Sequence, residues 1–175
     1  KFRERRFSEV SFINKTSQIL HDTRFFQNSE NNRYVGNIDR VFEKIDDNVC
    51  HEFIELFENS IWAFFNHRNC KVGFHQIRIT CNNQYVGHPV PEGWHKDGFD
   101  YVSIVCVASK NIHGGISRIR FDLESDHDTF SRVLRPSEML VFNDHQYYHH
   151  TDPINVEKDE DFGYRDIVVI TIKFI

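Results

Sequence analysis

Residues 91–98 read Pro-Glu-Gly-Trp-His-Lys-Asp-Gly and place an imidazole and a carboxylate two positions apart, at His95 and Asp97. In extended backbone, residues two apart point to the same side, so a ring nitrogen and a carboxylate oxygen can converge on one point. Further along, residues 143–153 (NDHQYYHHTDP) follow the apolar run MLVF and offer a third donor in His149 or its neighbour His150. Two imidazoles and one carboxylate on one face of a metal leave its remaining positions open to exogenous ligands. His-x-Asp in isolation is equally the pattern of a hydrogen-bonded pair in a glycine-rich turn. A histidine cluster is equally that of a solvated loop, which is how His145 reads.

The two segments together fit a non-haem Fe(II) centre, whose open positions a cosubstrate and O2 require. Arg165, at the entry to the run YRDIVVITIKFI, fits the same chemistry. A guanidinium pointing into an apolar interior needs an anion, and a planar carboxylate suits its fork best. Asp166 is a poor partner for it, because adjacent strand residues face apart; Glu157 is another candidate. In HQIRIT the polar Gln76, Arg78 and Thr80 alternate with Ile77 and Ile79. Either they form the wet side of a half-exposed strand or they line an interior. On the second reading, Arg78 and Gln76 are candidate substrate-binding residues, with Arg78 placed to hold a substrate carboxylate. His75, His88 and His113 read as structural or solvent-exposed.

These residues need strands to aim them. From residue 72 the pattern becomes short β-branched or aromatic runs separated by Gly, Pro, Asn or Asp: residues 72–82, 99–109, 116–123, 138–143 and 166–175. Five or more such strands predict an antiparallel barrel or sandwich. Residues 1–70 read as helical with turns. A helix is predicted around residues 12–20 and a stronger one over residues 46–67, where Val49, Phe53, Leu56, Phe57, Ile61, Phe64 and Phe65 recur at three- and four-residue steps. The polar stretch 27–37 between them is loop by composition.

Composition narrows the function classes. The chain has 175 residues, a formal net charge of −5, 39% hydrophobic and 27% charged residues, in the range of one globular domain. Mild acidity argues against a nucleic-acid binder, which needs a basic footprint. No apolar run approaches the roughly 18 residues of a membrane helix. The four cysteines lack zinc-finger or CxxC spacing, and read as free thiols in a reducing, cytoplasmic setting. Eleven histidines are an excess that composition cannot sort.

Taken as an ordered set, these segments make the sequence resemble the 2-oxoglutarate/Fe(II) dioxygenase family that contains the bacterial isoleucine and related free amino-acid hydroxylases. The matching pieces are RRFS at 5–8, FFQNSENN at 25–32, HQIRI at 75–79, PEGWHKDGFD at 91–100, NIHGG at 111–115, DHQYYHHTDPI at 144–154 and YRD at 164–166. The resemblance implies a mainly β fold with flanking α: a double-stranded β-helix, or cupin-like jelly roll, with N-terminal helices packed on the major sheet. It implies one dioxygenase domain over 1–175, with 1–70 mainly helical support and 71–175 the β-helix core. His95, Asp97 and His149 carry over as iron ligands and Arg165 as the 2-oxoglutarate anchor. The family spacing of Asp, four residues and His is met by Asp144 and His149, which favours His149 over His150; His150 and Thr151-Asp152 depart from the usual residues there. The implied cofactors are Fe(II), the cosubstrate 2-oxoglutarate and O2, with ascorbate supportive in vitro. The implied reaction hydroxylates an unactivated C–H of a small free L-amino acid such as isoleucine, leucine or methionine, releasing succinate and CO2. A carboxylate at Asp97 implies hydroxylation rather than halogenation. Competing readings are the same chemistry on a peptide, protein or natural product, and a non-catalytic metal- or ligand-binding jelly roll.

Overall fold

The computed structural model describes residues 2–21, 23–26 and 40–175. Its strands, in chain order, are β1 (Arg3–Ile13), β2 (Thr16–Ile19), β3 (Arg24–Phe25), β4 (Arg40–Val41), β5 (Glu43–Lys44), β6 (Cys70–Asn82), β7 (Tyr101–Lys110), β8 (Ile112–Gly114), β9 (Ile116–Arg120), β10 (Phe130–Val133), β11 (Met139–Asn143), β12 (Tyr148–Thr151), β13 (Ile154–Val156) and β14 (Phe162–Phe174). The helix α1 (Asp47–Phe57) runs on into a π-turn at Glu58–Trp62. The major sheet has the order β11-β7-β14-β6-β1-β2, with β5 paired to β1. Opposite it stand the three-stranded sheet β10-β9-β12 and the pair β13-β8. The last strand, β14, pairs antiparallel with both β6 and β7. This is a mostly β, jelly-roll-like architecture.

Alternation along the strands sorts two cores. Outward from the major sheet, Val10, Phe12, Val72, Phe74, Val168, Ile170 and Ile172 pack against Cys50, Ile54, Phe57, Ile61 and Trp62 of the helix. The helix forms because its apolar residues recur on one face and Asp46 caps it, its carboxylate accepting the Asn48 amide at 3.0 Å. Between the two sheets, Ile77, Ile79, Cys81, Val102, Ile104, Cys106, Ile119, Phe142, Ile154 and Ile167 form a second core. All four cysteines are free and buried in these layers.

The first seventy residues correct the sequence-based expectation. Instead of mainly helical support, they contribute β1 to the major sheet, paired with β6 from Arg3↔Ile79 to Phe12↔Cys70. The helix expected over 12–20 is a β1–β2 hairpin whose two loop residues, Asn14 and Lys15, both have positive φ (52° and 63°). That backbone twist is what a tight two-residue hairpin requires. Helix is confined, among the described residues, to the segment beginning at Asp47. The stretch 27–37, expected as loop, lies outside the described residues, as does most of the FFQNSENN segment.

Candidate metal centre

The loop between β6 and β7 delivers His95 and Asp97, and β12 delivers His149. A backbone pair locks the two segments: the His95 amide donates to the His149 carbonyl at 3.2 Å and the His149 amide to the His95 carbonyl at 2.9 Å. The rings meet with centroids 4.1 Å apart. Asp97 lies between them, Oδ1 at 3.6 Å from His95 Nε2 and Oδ2 at 3.4 Å from His149 Nε2. One donor atom from each of the three lies within 4.8 Å of the others. His150 faces the other way, against the Trp94 ring, with Nε2 at 3.6 Å from Asp152. Geometry therefore gathers His149, and not His150, with His95 and Asp97.

Neighbouring groups fix the orientation of these side chains. His95 Nδ1 donates to the Gly93 carbonyl at 2.9 Å, which turns Nε2 toward Asp97. Asp144 is buried and accepts three consecutive amides, Asp97 at 3.1 Å, Gly98 at 2.6 Å and Phe99 at 3.0 Å, fixing the turn that carries Asp97. Its Oδ1 also lies 3.8 Å from His149 Nδ1. Burial pushes the Asp97 carboxyl up, but the contact with His149 and the charges of both histidines outweigh it and hold Asp97 well below the usual carboxylate range. Burial and the adjacent His149 push His95 down. His149 is opposed by burial, yet its contacts with Asp97 and Asp144 raise it.

Arg165 extends from β14 on the same inner face as Ile167 and Val169. It is only 1% exposed. Its Nη1 donates to the Gly115 carbonyl at 3.1 Å and its Nη2 to Ser117 Oγ at 3.4 Å, while Nε is buried without a hydrogen-bond partner. Among the described residues no carboxylate pairs with it, and burial lowers its affinity for the proton. Gly115 keeps this space open: at φ 67°, a Cβ there would sit 3.4 Å from Arg165 Nη1 and 3.0 Å from Ile154. A buried guanidinium whose charge is unanswered is a site for an incoming anion. The donor set and this arginine fit a ferrous ion and a dicarboxylate cosubstrate.

Between β1 and the three donors lies a cavity of about 70 Å³ whose lining includes Arg3, Arg5, Arg40, His75, Glu92 and Ile167. Arg5 Nη2 donates to His75 Nδ1 at 2.6 Å, and the opposite ring nitrogen lies 3.3 Å from Thr171 Oγ1. His75 stacks on Phe7 at 4.7 Å. The Arg5 guanidinium lies 4.9 Å from the Phe25 centroid and 4.4 Å from that of Phe42. Burial, then the charges of Arg3 and Arg40, pushes Arg5 down to about 9.

Two candidates from the sequence are not in this cavity. Gln76 and Arg78 lie on the opposite face of β6 from His75, Ile77 and Ile79. They line an outer hollow with Glu4, Arg6 and Asp166, and Arg78 forms a two-pronged ion pair with Asp166 at 2.7 and 2.6 Å. The polar alternation of HQIRIT marks the outer side of the sheet, in a hollow that Val49, Glu52 and Phe53 of the covering helix also line. Conversely, the charged start RERR supplies Arg3 and Arg5 to the cavity. Their two-residue spacing was the available signal. Arg40, His75 and Glu92 carried no such mark.

A family model described as 2OG-Fe dioxygenase matches residues 1–171. The chain belongs to this family, whose members use Fe(II), 2-oxoglutarate and O2, and it is a 2-oxoglutarate-dependent dioxygenase. Among solved structures, a bsmA homologue from Methylobium petroleophilum is similar with a TM-score of 0.80 at 23% identity, over 99% of this chain and 72% of that one. IDO from Bacillus thuringiensis gives a TM-score of 0.80 at 21% identity, over 100% and 79%. The Fe(II)/α-ketoglutarate-dependent dioxygenase TqaL gives 0.69 at 16% identity, over 99% and 67%. At these identities the likeness is one of fold. No curated protein matches the chain in sequence. No helix among the described residues is long and apolar enough to cross a membrane.

Proposed function

We propose that residues 1–175 act as one catalytic domain that hydroxylates an unactivated C–H bond of a small free L-amino acid, of the isoleucine, leucine or methionine kind. In this reading His95, Asp97 and His149 hold Fe(II), and Arg165 takes the far carboxylate of 2-oxoglutarate. The observation that carries it is a buried arginine that no carboxylate pairs with among the described residues, in a fold that also gathers a three-donor cluster. When bound, the ferrous ion supplies the redox chemistry that couples decarboxylation of 2-oxoglutarate to insertion of one oxygen atom into a C–H bond.

The chain's own residues supply position and shelter. Gly93 orients His95, Asp144 holds the Asp97 turn, and Gly115 with Ser117 steer the Arg165 fork. Ile77, Ile104, Ile167 and Val169 wall the cavity with apolar surface and keep water from the reacting carbon.

The test is incubation with Fe(II), ascorbate and 2-oxoglutarate against the proteinogenic amino acids, read by mass for a product that has gained one oxygen. Succinate formed without a hydroxylated amino acid from any of them would overturn the substrate assignment. Asp97→Ala and His149→Ala are each expected to abolish turnover, whereas His150→Ala retains iron binding.

A further inference from the structure

The inner face carries two cationic poles, and a single cosubstrate accounts for only one. Arg165 and Arg3 are both registered opposite Ile79, one on β14 and the other on β1. Their backbones therefore flank β6 in one row, two strand spacings or roughly 10 Å apart. Arg5 is registered with Ile77 one step along the same face, so Arg3 and Arg5 look into the cavity beside the three metal donors while Arg165 sits at its own end of the row.

Among the described residues, few carboxylates answer the charge of the β1 pole. Arg5 is tied to His75 at 2.6 Å and placed against the rings of Phe25 and Phe42. Arg3 and Arg5 both have buried Nε atoms without a hydrogen-bond partner. The carboxylates that act on them are Glu92 and Asp97, and Asp97 belongs to the donor cluster. Each arginine is destabilised by burial, and Arg5 is further destabilised by repulsion from Arg3 and Arg40. An arriving carboxylate would relieve both costs, since a guanidinium fork pairs most strongly with a planar anion. Glu92 stands across the cavity with Oε1 at 3.9 Å from His95 Nε2, and offers an acceptor for a cation near the metal donors.

We propose that Arg3 and Arg5 form the clamp for the substrate's carboxylate and that Glu92 receives its ammonium group, so that the enzyme requires an α-amino acid with both ends free. This rests on the amino-acid reading above and adds the residues that recognise the two ends. Placing the ammonium by Glu92 and the carboxylate by β1 leaves the side chain to meet Ile104, Ile167 and Val169.

The experiment compares kcat/KM for L-isoleucine, L-leucine and L-methionine with the matching carboxamides and N-acetyl derivatives, following the oxygenated product by mass. In the native chain the free acid should exceed the amide by about 100-fold, because a buried charged site loses its partner when the anion is capped. In Arg3→Gln or Arg5→Gln the acid-to-amide ratio should fall below about tenfold, and Arg3→Lys should recover part of it. Glu92→Gln should likewise narrow the preference for the free amine over the N-acetyl compound. Fold damage lowers both rates together and leaves these ratios as they were, so unchanged ratios in the variants overturn the proposal. The native comparison needs no variant: amides turned over as well as acids overturn the clamp while the amino-acid reading stands. If no amino acid is hydroxylated although succinate forms, that reading falls and the clamp with it.

Discussion

Arg165, buried with its Nη atoms on one carbonyl and one hydroxyl and no carboxylate beside it among the described residues, is an expensive residue for a fold to keep. Arg165→Met is therefore expected to leave the ligand-free protein at least as heat-stable as the native chain while abolishing 2-oxoglutarate binding. Thermal melts with and without 2-oxoglutarate check both halves, and a large loss of stability would mark Arg165 as structural. His75 makes a prediction of a different kind. Burial first, then the charge of Arg5, holds its ring neutral far below the ordinary imidazole range. The unfolded chain takes up that proton near pH 6.5 and the folded one does not, so His75 contributes stability above that pH that is lost as the pH falls below it. His75→Gln should therefore lower Tm less than the native chain between about pH 7.5 and about pH 5.5, measured without metal. The spacing of His95, Asp97 and the 144–149 segment was legible because ligand geometry constrains residue type at fixed intervals. Which way Arg78 faces was not legible, because alternation says which residues share a face but not which face is inward; it lies on the outer one.

At the level of elements, the turn after His95 is held mainly by Asp144, whose carboxylate satisfies three amides in succession. Asp144→Ala should weaken metal binding about 10- to 100-fold by releasing Asp97, with a smaller effect on global stability. Isothermal titration with Mn(II) or Co(II) as redox-quiet stand-ins measures it; unchanged affinity would mean that the His95–His149 backbone pair suffices to place the donors. The strands from β6 onward were readable because β-branched runs sit between turn residues, and α1 because its apolar stripe repeats every three or four positions. β1 was misread for a physical reason. Its inward side is Arg3 and Arg5 facing a polar cavity and Phe7 stacked on His75, so the apolar alternation that announces a strand is confined to Val10 and Phe12 on the helix-covered side. The strand is disguised by the residues that make it useful.

For the molecule as a whole, the two sheets are joined at the donor cluster and at the Gly115–Arg165 contact, so ligands that bind there bind the folded state alone. A redox-quiet divalent ion with 2-oxoglutarate at about 100 times the dissociation constant should stabilise the protein by about 2.7 kcal/mol for each site filled. In Asp97→Ala the shift due to the metal should vanish, and differential scanning calorimetry separates the two contributions. The position of β14 has a kinetic consequence as well. It comes after every other described strand in the chain, yet it lies between β6 and β7 and pairs Phe174 with Cys70 and Tyr164 with Thr80. Pairings across such sequence distances close large loops before they return any energy, which places folding in the slow, millisecond-to-second range. Until residues 162–174 have left the ribosome, β6 and β7 each present an unsatisfied edge, and a nascent chain in that state is exposed to edge-to-edge aggregation. Because Arg165 is carried on this same strand, its buried pocket and the centre of the sheet come into existence in one event.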